Sequence, residues 1–200
     1  MKSYRQYCGV ARALDLVGGR WALLLVRDLL PGPRRFTDLL RPGLTPNVLS
    51  TRLRELSEAG LVQKVTLPAP AGRAWALTEQ GRGLEPVVLA LGAFGQAYLS
   101  APRPDDSFDG RWFVVSLQRR FRGPGEGRVQ LWIDGAPYRV QLGGGRASVR
   151  DGVDPSASLT VRGSLPEVAA TLSGGEGAYV DGDRAVLERL VAGTRVLGGS

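Results

Sequence analysis

Apolar residues recur every three or four positions through the first half of the chain, the spacing of helices buried along one face. Val10, Ala13, Leu14 and Val17 predict a helix over residues 8–18 that Gly18-Gly19 ends. Trp21, Leu24, Leu25 and Leu29 predict a second over 20–30, broken by Pro31-Gly32-Pro33. Thr37-Asp38-Leu39-Leu40 follows as a short helix. Thr45 is then a good N-cap and Pro46 a good first helical residue, so a helix is expected from there to about Ala59, stopped at Gly60. Two β-prone runs come next, 61–67 and 73–77, separated by the Pro- and Gly-bearing stretch 68–72. Thr78 caps a last helix over about 79–99, interrupted near its start by Pro86. Its Val87, Val88, Leu91, Phe94 and Tyr98 form an apolar stripe wider than one small domain needs.

The helix capped by Thr45 is the most informative element. Around its axis Leu49, Leu53 and Leu56 share a face that must be buried. The opposite face carries Asn47, Thr51 and Arg54, with Ser50 and Glu58 at its margins. A short helix, a turn and a capped helix with an Arg-bearing outer face make a helix-turn-helix, whose second helix enters the major groove of DNA. The hairpin that follows directly is then a wing. Its Lys64 and Arg73 are placed to reach the phosphates beside the groove.

The pattern changes beyond Ser100-Ala101-Pro102-Arg103-Pro104-Asp105-Asp106, a Pro-rich polar stretch. It is the expected boundary between a domain over 1–101 and another over 106–200. Residues 111–122 fit a helix and a strand equally well. Residues 128–134 and 136–142 alternate as two strands around the tight turn Asp134-Gly135. Further strands are expected over 146–150 and 157–162. Ser164 caps a helix that Gly174-Gly175 stops, residues 178–180 are extended, and 182–191 form a closing amphipathic helix. Asp181-Gly182-Asp183 reads as a turn with a capping aspartate rather than a calcium loop. The second half is thus a small α+β domain, and the chain as a whole is α+β.

Charge sharpens this division. Formal net charge is +7 over the 200 residues. Residues 1–101 hold 13 Lys+Arg against 7 Asp+Glu, whereas residues 102–200 hold 13 against 12. A polyanionic partner is therefore expected for the first half. There is no histidine, which removes His-based acid–base catalysis, His metal ligation and Ser–His or Cys–His nucleophile pairs. The single cysteine, Cys8, excludes an intrachain disulfide. Neither a signal-peptide pattern nor a membrane-length apolar run is present. The expectation is a cytoplasmic protein that is not an enzyme, holds no metal or cofactor, and does not engage a membrane.

The first half resembles the HxlR-type family of bacterial winged-helix regulators. The resemblance rests on Cys8, Ala13-Leu14-Asp15-Leu16-Val17-Gly18-Gly19-Arg20-Trp21 and Gly32-Pro33-Arg34-Arg35-Phe36. It continues through Leu44-Thr45-Pro46-Asn47-Val48-Leu49-Ser50-Thr51-Arg52-Leu53-Arg54-Glu55-Leu56, Glu58-Ala59-Gly60-Leu61-Val62 and Leu77-Thr78-Glu79-Gln80-Gly81. These blocks stand in order at family spacing; one departure is Gly9, where many relatives have Pro. The resemblance implies a homodimer, built largely from the first and last helices of the domain, on a pseudo-palindromic operator in double-stranded DNA. It also makes Cys8 a candidate redox switch, with Arg5 and Arg12 near it in sequence; the alternative is a cysteine simply buried beside a dimer interface. The second half resembles sterol-carrier-protein-like domains through Leu159-Thr160-Val161-Arg162-Gly163-Ser164, Gly174-Gly175 and Val180-Asp181-Gly182-Asp183-Arg184-Ala185-Val186-Leu187. That resemblance implies an apolar tunnel for a hydrophobic small-molecule effector.

The candidate DNA contacts are Arg34, Arg35, Lys64 and Arg73 on phosphates, with Thr45, Asn47, Ser50, Thr51 and Arg54 at the reading helix. Trp112, Phe113, Phe121, Trp132 and Tyr138 either line a ligand pocket or fill the core of the second domain. The function expected is a sequence-specific transcriptional regulator, a repressor, modulated at its second domain. The alternative is a carrier or sequestering protein for a hydrophobic small molecule, with the first domain serving dimerisation.

Overall fold

A computed structural model describes residues 3–68 and 72–195 of the chain. Lys2, the expected wing tip at 69–71 and the last five residues of the expected second domain lie outside the described residues. The chain forms two compact units, Met1–Val88 and Leu89–Ser200. The division falls upstream of the Pro-rich stretch at 100–106. No helix among the described residues is long and apolar enough to cross a membrane.

The first unit begins with α1 (Gly9–Val17) and α2 (Ala22–Leu29), followed by a 3₁₀ turn over Thr37–Leu39 and then α3 (Pro46–Glu58). Thr45 accepts a hydrogen bond from the Val48 N–H at 3.4 Å, and Pro46 sits in the first turn, so the cap forms as the sequence predicts. At the other end Gly60 takes φ +71°, which a side chain would strain. Its N–H reaches Ser57 O and the Leu61 N–H reaches Leu56 O, closing the helix and turning the chain into the next strand. Strands β1 (Val62–Leu67) and β2 (Gly72–Leu77) pair antiparallel from Val62↔Leu77 to Leu67↔Gly72.

The expected single helix over 79–99 is instead two, α4 (Glu79–Arg82) and α5 (Glu85–Gln96). Gly83 ends the first by donating back to Glu79 O and Gln80 O. Pro86 lies in the first turn of the second, where its missing N–H costs nothing, so it starts a helix rather than interrupting one. Gly81 is required where α4 meets the start of the hairpin: a Cβ there would lie 1.9 Å from Leu61 O.

The second unit is a five-stranded sheet ordered β5-β4-β3-β6-β7. Its strands are β3 (Gly127–Ile133), β4 (Ala136–Gly143), β5 (Arg146–Asp151), β6 (Leu159–Gly163) and β7 (Tyr179–Gly182). All neighbours are antiparallel except β3 and β6. Asp134 (φ +50°) and Gly135 (φ +80°) form the tight turn between β3 and β4. The ambiguous stretch 111–122 is helical, as α6 (Gly110–Arg120), capped by Asp109. Val114, Leu117 and Phe121 fall on one face of it and enter the core, which settles the period. Helices α7 (Leu165–Leu172) and α8 (Arg184–Arg195) complete the unit. Their Val168, Leu172, Val186 and Leu190 join Val129, Leu131, Ile133, Val140, Val149 and Val161 in one core, so all three helices cover the same sheet face. Asp183 caps α8 by accepting from the Ala185 N–H at 2.8 Å, as the turn reading requires.

Candidate nucleic-acid interface

The outer face of α3 follows from what its inner face buries. Leu49, Leu53 and Leu56 are almost wholly inaccessible. Burying each stabilises the unit by roughly 1.5–3 kcal/mol, so orientation of the helix is fixed by the leucines alone. Asn47, Ser50, Thr51 and Arg54 are left exposed, with Thr45 at the helix start. Arg54 lies 3.8 Å from Glu58 one turn on, an exposed pair of little energetic consequence. Arg52 and Glu55 point elsewhere: they pair with each other, and the Arg52 guanidinium packs against Gly19.

The hairpin stands beside this face. A cleft of about 530 Å³ separates them, lined on the helix side by Ser50, Arg54, Ser57 and Glu58 and on the hairpin side by Lys64, Arg73 and Trp75. Four residues chosen from sequence therefore border one concavity: Ser50, Arg54, Lys64 and Arg73. Lys64 Nζ sits 5.4 Å from the Trp75 ring centroid across the hairpin, a cation–π contact that orders the ammonium.

Arg34 and Arg35, the phosphate contacts expected from the sequence, lie beside the hairpin. Arg34 exchanges two backbone hydrogen bonds with Trp75, at 2.9 and 2.7 Å, and so adds a one-residue third strand to the wing. Its guanidinium donates to Pro33 O at 2.8 Å. The Arg35 guanidinium lies against Gly72, where a Cβ would come within 2.9 Å of Nη1. Both are half-buried at the base of the wing. Sequence reasoning missed Ser57, Trp75 and Phe36 as lining residues. Ser57 was legible, since it follows Ser50 and Arg54 on the same helical face; Trp75 and Phe36 needed the bridge to Arg34.

Cys8 is exposed at the N-cap of α1. The backbone N–H groups of Ala11 and, less, Val10 lower its thiol pKa by favouring the anion. The side chain makes no cap hydrogen bond of ordinary geometry, so the effect is that of the unpaired N–H groups at a helix start. Arg5 and Arg12 do not contribute to it.

The five aromatic candidates of the second unit do not converge on one cavity. Phe121 and Tyr138 are buried in the core, and Phe113 packs against its margin. Trp132 alternates with core-facing Leu131 and Ile133 and so stands on the opposite sheet face, where Arg162 covers its ring at 5.1 Å. Trp112 is half-buried. Phe113 borders a void of about 20 Å³, room for little more than one water.

Comparison with known proteins bears on the first unit. Residues 16–103 match the family described as HxlR-like helix-turn-helix. The uncharacterized HTH-type transcriptional regulator YdeP of Bacillus subtilis is 37% identical over 94 residues, 46% of this chain and 73% of that protein. The chain belongs to the HxlR-like helix-turn-helix family. Another member-like relative, an uncharacterized HTH-type transcriptional regulator of Mycobacterium tuberculosis, is 44% identical over 98 residues, 48% of this chain. The chain spans 61% of the length of that mycobacterial relative. Among solved structures, the redox regulator HypR in its oxidized form is 33% identical, covering 47% of this chain and all of that one, with a TM-score of 0.43. The relatives of this HxlR-like chain are transcriptional regulators and not enzymes. The matched segment ends at residue 103, so most of the second unit lies outside it.

Proposed function

We propose that this HxlR-like protein is a DNA-binding transcriptional regulator, a repressor, that acts as a homodimer on a pseudo-palindromic operator. The observation that carries the reading is the convergence of Ser50, Arg54, Lys64 and Arg73 on one cleft between a capped helix and its wing. In this reading α3 enters the major groove with Asn47, Thr51 and Arg54 against base edges and Thr45 and Ser50 at the adjacent backbone. Lys64 and Arg73 hold phosphates beside the groove, and Arg34 and Arg35 set the wing's base and its charge.

The homodimer is supported by apolar side chains that each helix leaves in solvent. On α1 these are Val10 and Leu14, with Tyr7 just before it; on α5 they are Val87, Leu91 and Phe94, with Tyr98 beyond it. Two recognition helices related by a twofold axis would then meet successive major grooves about one helical turn apart. The second unit serves as a sterol-carrier-like regulatory part, answering a hydrophobic small molecule by stabilising one spacing of the two reading heads. Cys8, exposed and lowered in pKa, is the candidate thiol of a redox response.

The test is retention of genomic fragments by the purified protein at two salt concentrations, beginning with the DNA upstream of its own gene. Salt-sensitive retention of a pseudo-palindromic fragment is expected, because each neutralised phosphate releases counterions. Retention of no fragment at either salt, with and without thiol oxidant, overturns the reading.

A further inference from the structure

The sheet of the second unit has one face under helices and another turned away from them. On β4 and β5 that outward face carries Arg139, Gln141, Arg146, Ser148 and Arg150, alternating with Val140, Leu142, Ala147 and Val149 in the core. The register sets Arg139 directly opposite Arg150 and Gln141 opposite Ser148. Like charges directly opposite across two strands destabilise a sheet. The acid of these strands, Asp151, falls on the other alternation, opposite buried Tyr138. Both opposed guanidiniums are ordered by backbone carbonyls: Arg139 Nε donates to Asp151 O at 3.2 Å and Arg150 Nη1 to Val149 O at 2.7 Å.

Protection of an exposed sheet edge accounts for part of this. β5 is an edge strand, and charged residues there discourage pairing with other chains. That explanation covers Arg146 and Arg150. It does not cover Arg139, which lies on the interior strand β4, opposite Arg150, and guards no edge.

We propose that this face is a second contact surface for the phosphate backbone of double-stranded DNA. Arginine forks with a glutamine amide and a serine hydroxyl between them are phosphate-contacting side chains with no base-reading requirement. Arg146 and Arg150, four residues apart on one strand, stand roughly 13 Å apart. A duplex carries a charge every ~1.7 Å of its axis, so a patch of that length faces several phosphates. Such a patch is weak alone, since exposed charge pairs contribute little. Covalently joined to a unit already on DNA, it adds affinity without sequence preference, because its own binding step is intramolecular. The inference rests on the DNA binding proposed above.

The full-length triple variant R139Q/R146Q/R150Q tests it, compared with wild type on a duplex carrying the DNA upstream of the protein's own gene and on a random-sequence duplex of equal length. The slope of log affinity against log salt should fall by about two to three in magnitude on both duplexes, at roughly 0.9 per lost phosphate contact. The preference for one duplex over the other should not change. The charge-keeping variant R139K/R146K/R150K should restore the slope, and matched thermal unfolding of all three proteins keeps misfolding out of the comparison. An unchanged slope in the glutamine variant overturns the inference while leaving the proposed function standing. An unchanged slope with lost binding to anionic phospholipid vesicles overturns it in favour of a membrane surface. If wild type itself shows no salt-sensitive affinity for either duplex, the proposed function fails and this inference with it.

Discussion

Arg41 Nη2 donates to Asp28 Oδ2 at 3.1 Å, joining the segment just before α3 to the end of α2. Asp28 is buried, and its other oxygen accepts from Arg27 Nε at 3.0 Å. The carboxylate therefore sits between two guanidiniums, one of which belongs to the segment that leads into α3. Removing it strands positive charge in a half-buried site, which costs far more than losing a surface pair. Asp28→Ala is expected to lower unfolding free energy by about 3–5 kcal/mol in urea titrations. A loss below about 1 kcal/mol would put the pair among ordinary surface contacts and refute its placement role.

Thr45 is the simplest local test of α3. Its hydroxyl accepts from the Val48 N–H, one of the N–H groups that a helix start leaves unpaired. Thr45→Ala should destabilise the protein by about 1 kcal/mol, and Thr45→Ser should recover most of it. Equal stability of the alanine and serine variants in thermal melts would show that Pro46 and the leucine face hold the helix without the cap.

The cap, the leucine face and the hairpin were legible because each is local: a hydroxyl before Pro46, leucines at helical spacing, two β-prone runs. What was not legible depends on contacts between distant segments. Arg34 and Arg35 read as phosphate contacts, and nothing local shows that Trp75, some forty positions away, draws Arg34 into the wing. The stretch at 111–122 was undecidable by composition, and only the sheet against Val114, Leu117 and Phe121 fixes its period. The aromatic residues of the second half could be counted but not oriented. Trp132 and Tyr138 lie on neighbouring strands, yet alternation sends them to opposite faces.

Arg54 and Glu58 make a paired prediction. They sit 3.8 Å apart on the rim of the cleft. Arg54→Ala should relax base preference at one position per half-site by about 1–3 kcal/mol, read as relative affinities for single-base operator variants. Glu58→Gln should act oppositely on overall affinity, by freeing Arg54 and removing an anion from the rim proposed to face phosphates. Unchanged base preference in the first variant would remove Arg54 from the reading face, whatever its effect on affinity.

Phe94 and Tyr98 stack obliquely, with ring centroids 5.2 Å apart, and both rings are largely in solvent. Large apolar side chains in such density mark a surface that is covered in the working assembly. If the proposed dimer forms through this surface, Phe94→Glu should leave a monomer in sedimentation equilibrium and abolish binding to a two-half-site duplex. Binding to a single half-site should persist at low salt. A variant that remains dimeric would move the interface off this end of α5.

The Cys8 thiol lies at the start of α1, where backbone N–H groups of Ala11 and Val10 favour its anion. The sign follows from the charge: an attraction felt only by the thiolate lowers the pKa, so more of the reactive form is present at any pH below the ordinary midpoint. Alkylation by iodoacetamide, followed against pH, should therefore show a midpoint below that of an unperturbed cysteine in a short peptide. The test needs a control for accessibility, since slow alkylation at all pH values would report burial of the thiol in the proposed dimer. Denatured protein supplies it, because unfolding dissolves the helix start and should return the midpoint to its ordinary value. Coincident native and denatured profiles would mean that α1 does not tune the thiol, and the redox role would then lack its chemical basis.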